Sequence, residues 1–264
     1  RSGARHDDKA LAAFEAGLEA DPTDARAWAD LARLHQQRRR WAKGLGAAEE
    51  ALRHADDRQA RWTAAVCATA LADPRAAAHF AALDHLAAPP DATRPDPADR
   101  PHVDGLPPIE VVIWDTTPGP ARDPALDPDG DDPGDPIGEA VWVEPHSPCH
   151  GRVVSPTLRP LPADHGDLVI WDPVPLSFRD VDGAETPRFG ALAVLERGPT
   201  RTWRYHGEPT APPTLPAGCR LYPFADRIRG ADARGGKIVA PRDTPRAALE
   251  AALAPAGLTL DERV

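Results

Sequence analysis

Between Asp24 and Asp57 the apolar positions recur at helical spacing. Trp28, Leu31, Leu34 and His35 share one stripe at three- and four-residue steps, and Ala47, Ala48, Ala51 and Leu52 share a second. This predicts two antiparallel helices with a charged turn at Gln36–Arg40, where cations suit the end of the first helix dipole. Small residues on the second stripe let helices approach closely. Upstream, Ala10, Phe14 and Leu18 predict one more helix, closed by Pro22. Downstream, Trp62 opens a third unit, Asp73-Pro74 makes its turn, and Ala76 and Phe80 lie on its second helix.

Trp28 and Trp62 are 34 residues apart, a spacing characteristic of stacked helical repeats. The segment from Asp24 resembles a tetratricopeptide repeat (TPR). Trp28 and Leu31 make its W-x2-L pair, Ala32 its small contact position, Trp41 its bulky turn site, and Ala51-Leu52 its small-large pair. His35 stands where a tyrosine is usual and Gly44 where an alanine is usual. The resemblance covers about a third of the chain. It implies a concave face of first helices that contacts extended peptides or partner helices. The face positions it implies are Arg26, Ala29, Arg33, Gln36 and Gln37, with Arg26 and Arg33 placed to receive an acidic segment. The upstream helix lacks a partner, so a longer chain or a covering partner is expected.

Beyond residue 108 the period changes. Short apolar runs at 109–114, 140–144, 152–155, 167–171, 191–196, 200–205, 220–224 and 237–240 are bounded by glycine and proline and read as strands. Their length and even punctuation predict a small barrel or sandwich. One helix is expected near the end. Thr244 is its N-cap candidate, Pro245 its first residue, Ala247 to Leu253 its stripe and Gly257 its stop. The runs VVIWD at 111–115 and LVIWD at 168–172 hint at a duplication.

Composition sharpens the division. Of 32 prolines only Pro22 and Pro74 precede position 89, so only the first third is free to be mainly helical. The expected fold class is therefore α+β multidomain: TPR-like hairpins at 1–88, a proline-rich linker at 89–108, and a β-rich domain with one C-terminal helix at 109–264. A net charge of −10 disfavours nucleic acid and anionic membranes. No apolar run approaches the ~20 residues that span a bilayer. Three cysteines are too few for a disulfide scaffold and favour a reducing, cytoplasmic setting.

Candidate chemistry concentrates at His146-Ser147-Pro148-Cys149-His150. Imidazole and thiolate are zinc ligands, so His146, Cys149 and His150 with one distant residue are the metal candidates. No C-x2-C pair supports them. Cys149 beside His150 also has the residue types of a thiol nucleophile and its base, although adjacent side chains often diverge. The acidic run Asp123–Asp135 has a calcium-loop order but aspartate where the loop needs glycine and Gly138 where it needs glutamate. A disordered acidic loop is expected instead, one that could dock on the basic helix face within one chain or between chains. Arg227, Arg229 and Arg234 flank a glycine-rich turn that leads into a strand, not a phosphate-binding helix. These signals favour a protein–protein interaction adaptor or assembly subunit with a protein partner. The alternative is a metal-binding or Cys/His-dependent enzyme.

Overall fold

A computed structural model describes residues 2–84, 98–114, 138–157, 161–181, 183–224 and 234–261, with side chains from residue 8 onward except at 181. Helices come first, strands follow, and one helix lies near the C-terminus, so the chain is α+β. It divides into two compact units. The first comprises 1–108 with 145–151 and 170–175, and the second comprises 109–144, 152–169 and 176–264.

The first unit carries α1 (Ser2–Ala20), α2 (Ala25–Gln37), α3 (Trp41–His54), α4 (Arg58–Ala70) and α5 (Arg75–Ala81). Asp24 caps α2 by accepting from the backbone N–H groups of Arg26 and Ala27, both at 3.0 Å. Asp57 caps α4 through the N–H of Ala60 at 2.6 Å. Each cap satisfies donors that a helix start leaves open. Arg39, at φ 55, takes the left-handed conformation that ends α2. Helix α2 packs on α1, α3 and α4. Ala32, Ala48, Ala51, Ala60 and Ala64 are fully buried, which is how these helices come close. Ala76 and Phe80 of α5 are buried as their spacing predicts, and Trp62 meets Phe80 edge-on with centroids 6.4 Å apart. Helix α4 starts four residues before Trp62, because Asp57 provides the cap.

Residues 98–108 of the proline-rich stretch belong to this unit. His102 and Val103 are buried, and the Val103 N–H donates to the His146 carbonyl at 2.8 Å. The preceding part, 89–97, lies outside the described residues, as do the acidic run at 123–135 and Arg227 and Arg229.

The strands are β1 (Ile109–Trp114), β2 (Gly138–Ser147), β3 (His150–Val153), β4 (Leu168–Val181), β5 (Ala184–Glu196), β6 (Thr200–His206), β7 (Arg220–Pro223), β8 (Gly235–Pro241) and β9 (Thr259–Leu260). The first five close on themselves in sequence order: β1 pairs antiparallel with β2 and parallel with β5. The other four form a sheet in the order β7-β8-β6-β9. Helix α6 (Arg246–Leu253) packs with that sheet, where Leu249 and Leu253 join Tyr205, Ile238, Ala240 and Leu258 in one core. Pro245, not Thr244, is its N-cap, and it has no side-chain cap bond. Gly257, at φ 75, ends the 3-10 turn that follows.

Two buried carboxylates brace the second unit. Glu110 on β1 pairs with Arg179 and Arg188, the guanidinium groups of the β4–β5 hairpin. Asp167 accepts from the N–H groups of Asp164 and Gly198 and from Arg197, at 3.0, 2.7 and 2.8 Å.

Candidate functional site

The first unit contains a cleft of about 540 Å³. Helix α2 contributes Arg33 and Gln36, α4 contributes Arg58, Gln59, Trp62 and Thr63, and the segment Asp172-Pro173-Val174 forms the remaining wall. The helical stripe explains the first two walls: each helix turns one face inward, and residues three or four apart share it. A volume of this size is in the range of clefts that bury a drug-sized group.

Asp172 is the centre of its geometry. Its carboxylate accepts from the Arg33 guanidinium at 3.1 Å and from the Gln37 amide at 2.7 Å. The other oxygen accepts from the Val174 N–H at 3.1 Å. The preceding residue fixes its position. The Trp171 N–H donates to the Cys149 carbonyl at 2.8 Å, and its indole N–H donates to the Pro148 carbonyl at 3.0 Å. On the opposite side of the cleft, Arg58 and Gln59 are exposed, and Trp62 is half-buried.

The five expected face residues separate. Arg33 and Gln36 line the cleft, and Gln37 reaches Asp172. Arg26 is exposed but does not line the cleft. Ala29 packs with Ala51 and Ala60 in the core between helices, because a small residue at that step admits the neighbouring helices. Gln36 is itself buried. The residues that a reading of α2 alone misses are Arg58, Gln59, Trp62, Thr63 and Asp172. The 34-residue period gives one of them, since Thr63 is the counterpart of Ala29 one repeat later.

The Cys/His cluster forms a second group. His146, Cys149 and His150 are buried together with His102. The His102–His146 and His146–His150 rings meet edge-to-face, at 5.8 and 5.6 Å between centroids. Ser147 Oγ lies 2.6 Å from His150 Nδ1 and 3.7 Å from Cys149 Sγ. His102 Nε2 stands 3.2 Å from Asp104 Oδ1 without the alignment of a hydrogen bond. Among the described residues, no group of three or more His, Cys, Asp or Glu side chains is placed to hold a metal ion. Burial pushes the Cys149 thiol up to about 12, against the lowering effect of hydrogen bonds to Ser147 and Thr69. Burial likewise pushes Cys67 to about 12. A thiol held protonated is a poor nucleophile.

In the second unit, Lys237 is buried on β8, opposite Arg204 of β6 and Tyr222 of β7. Burial first, and Arg204 second, push its ammonium down to about 8. Its place within an otherwise apolar strand concealed it in the sequence. Among the described residues, no helix is long and apolar enough to cross a membrane. No protein-family model, curated protein or solved structure matches this chain.

Proposed function

We propose that this protein is a protein–protein interaction subunit, an adaptor or a component of a larger assembly. On this reading α1–α5 are TPR-like hairpins, the inner faces of α2 and α4 receive a polypeptide partner, and the first five strands are a small-barrel module. The observation that carries the proposal is the seating of Asp172-Pro173-Val174 along the cleft, with Asp172 on Arg33 and Gln37. A short stretch of polypeptide already sits against this face, so its chemistry suits backbone and side chains of that kind. Arg58, Gln59 and Trp62 leave the other side open, with a cation, an amide and an aromatic surface. Aromatic and arginine side chains dominate the energetics of protein interfaces.

The burial of Cys149 favours a packing role for the Cys/His cluster over nucleophilic chemistry. The test is affinity capture of partners followed by direct binding measurement with wild-type protein, Arg58→Glu and Trp62→Ala. Both variants are expected to weaken the captured partner by tenfold or more, about 1.4 kcal/mol. Unchanged affinity in both would contradict the assignment.

A further inference from the structure

We propose that Asp172 is an internal stand-in for a partner's carboxylate, and that an acidic, extended partner segment displaces it from Arg33 and Gln37. This rests on the protein-binding reading of the cleft and adds the partner's chemistry and a built-in competitor. Three observations carry it. First, Asp172 occupies two α2 donors spaced one helical turn apart, at 3.1 and 2.7 Å. Both donate to one carboxylate oxygen, Oδ2, a charge-assisted arrangement that any carboxylate presented to the same donors can reproduce. Second, the occupation is open to exchange. The Arg33 side chain is 33% exposed and that of Asp172 12%, so water reaches the edge of the pair. Asp172 itself is buried, so the exchange begins from the arginine's side.

Third, the charges select the ligand. The cleft is lined by Arg33, Arg58 and Asp172, which leaves one positive charge on a chain of net charge −10. No ion pair to Arg58 occurs among the described residues. An incoming acidic segment therefore meets one cation unopposed and a second one whose carboxylate it can replace. The internal segment also shows the pattern that fits: a carboxylate, then proline, then the apolar Val174, which is 51% exposed. The partner segment is an extended polypeptide with Asp or Glu two residues ahead of an apolar side chain.

An internal competitor lowers apparent affinity by the fraction of time it holds the site. The experiment uses the full chain and a capped hexapeptide, Ile-Trp-Asp-Pro-Val-Pro, which copies residues 170–175. Calorimetry should show Asp172→Asn binding this peptide about tenfold tighter than the wild-type protein. The Asn version of the peptide should lose that gain, and adding Arg33→Met to Asp172→Asn should abolish it. Equal affinity of wild type and Asp172→Asn, indifference to the peptide's carboxylate, or no binding to either protein would overturn the inference.

Should Asp172→Asn fold poorly, the wild-type protein gives a second reading. The Gln37 side-chain amide resonance must shift when the acidic peptide is added, and a fixed resonance at saturation overturns the inference. The two proposals fail separately. If a captured partner is lost with Arg58→Glu while the peptide ignores Asp172, only the displacement is wrong. If the partner ignores both Arg58→Glu and Trp62→Ala, the interaction reading fails whatever the peptide does.

Discussion

A Cβ atom on Gly44 of α3 would come within 2.7 Å of the Cys67 Sγ of α4. The glycine thus makes room for a buried sulfur where α3 crosses α4. This is the physical reason that glycine stands where the repeat resemblance leads one to expect alanine. Alanine would gain about 1 kcal/mol of helix propensity, but overpacking a core typically costs about 1–3 kcal/mol. Gly44→Ala is expected to destabilise the protein in chemical denaturation. In a Cys67→Ala background the sign should reverse, because the remaining contacts, at 3.4 Å to Ala32 and Gln36, are ordinary ones. A loss of equal size in both backgrounds would show that Cys67 is not the obstacle.

Asp167 is fully buried and holds the loop at Asp164, the turn at Gly198 and two arginines, Arg197 and Arg242. Asp167→Asn removes the charge and turns one acceptor into a donor. Breaking a buried charge network costs about 3–5 kcal/mol. Arg197 and Arg242 have side chains 59% and 38% exposed and can turn to water, so about 3 kcal/mol is expected from urea unfolding. Near-wild-type stability would mean the network contributes little.

Three histidines give the fold an acid sensitivity. Burial is the main cause that lowers the pKa of His35, His79 and His165 below the usual 6.5. In the unfolded chain they take up protons as pH falls through 6.5, while the folded state resists. The unfolded state then binds more protons, so stability falls as pH falls from neutral. His35 Nδ1 is buried with no hydrogen-bond partner, which makes His35→Phe the informative variant. It should flatten the stability profile between pH 7 and 5, and an unchanged slope would contradict this.

Lys237 acts at the other end of the scale. Its folded pKa is about 8, against 10.5 for the free side chain. Between those values the unfolded state binds the extra proton, so stability rises with pH across the window. Below pH 8 both states carry the charge and the burial cost is fully present. Lys237→Met should remove that slope and stabilise the protein at pH 7 by about 1–2 kcal/mol, as replacing a buried charge by an apolar group often does. A destabilised variant would show that the ammonium is satisfied in the fold.

Local pattern sufficed where an element's own residues decide it. The β1 strand runs over the predicted 109–114, since an apolar run ends there, and α2 follows its stripe and its Asp24 cap. The apolar run predicts a strand only over 167–171, yet β4 extends through Pro173 and Pro175 to Val181. Proline is tolerated where its missing N–H is not needed by a neighbouring strand. Arg33 and Gln37 were visible as a polar step on α2, but Asp172 lies 139 and 135 residues away. No periodicity links positions so distant. Ala29 is buried with Ala51 and Ala60 for a related reason: a helix stripe gives a direction, and only the neighbouring helices decide whether that direction is core or cleft.

The central claim is that a partner polypeptide lies between α2 and α4. A photo-crosslinking amino acid at Gln59, which lines the cleft, tests it most directly, with the same group at the exposed Lys43 of α3 as the control. The partner obtained by affinity capture should crosslink from position 59 and not from position 43, and Arg58→Glu should suppress the product. Crosslinking from 43 alone, or equally from both positions, would contradict the account.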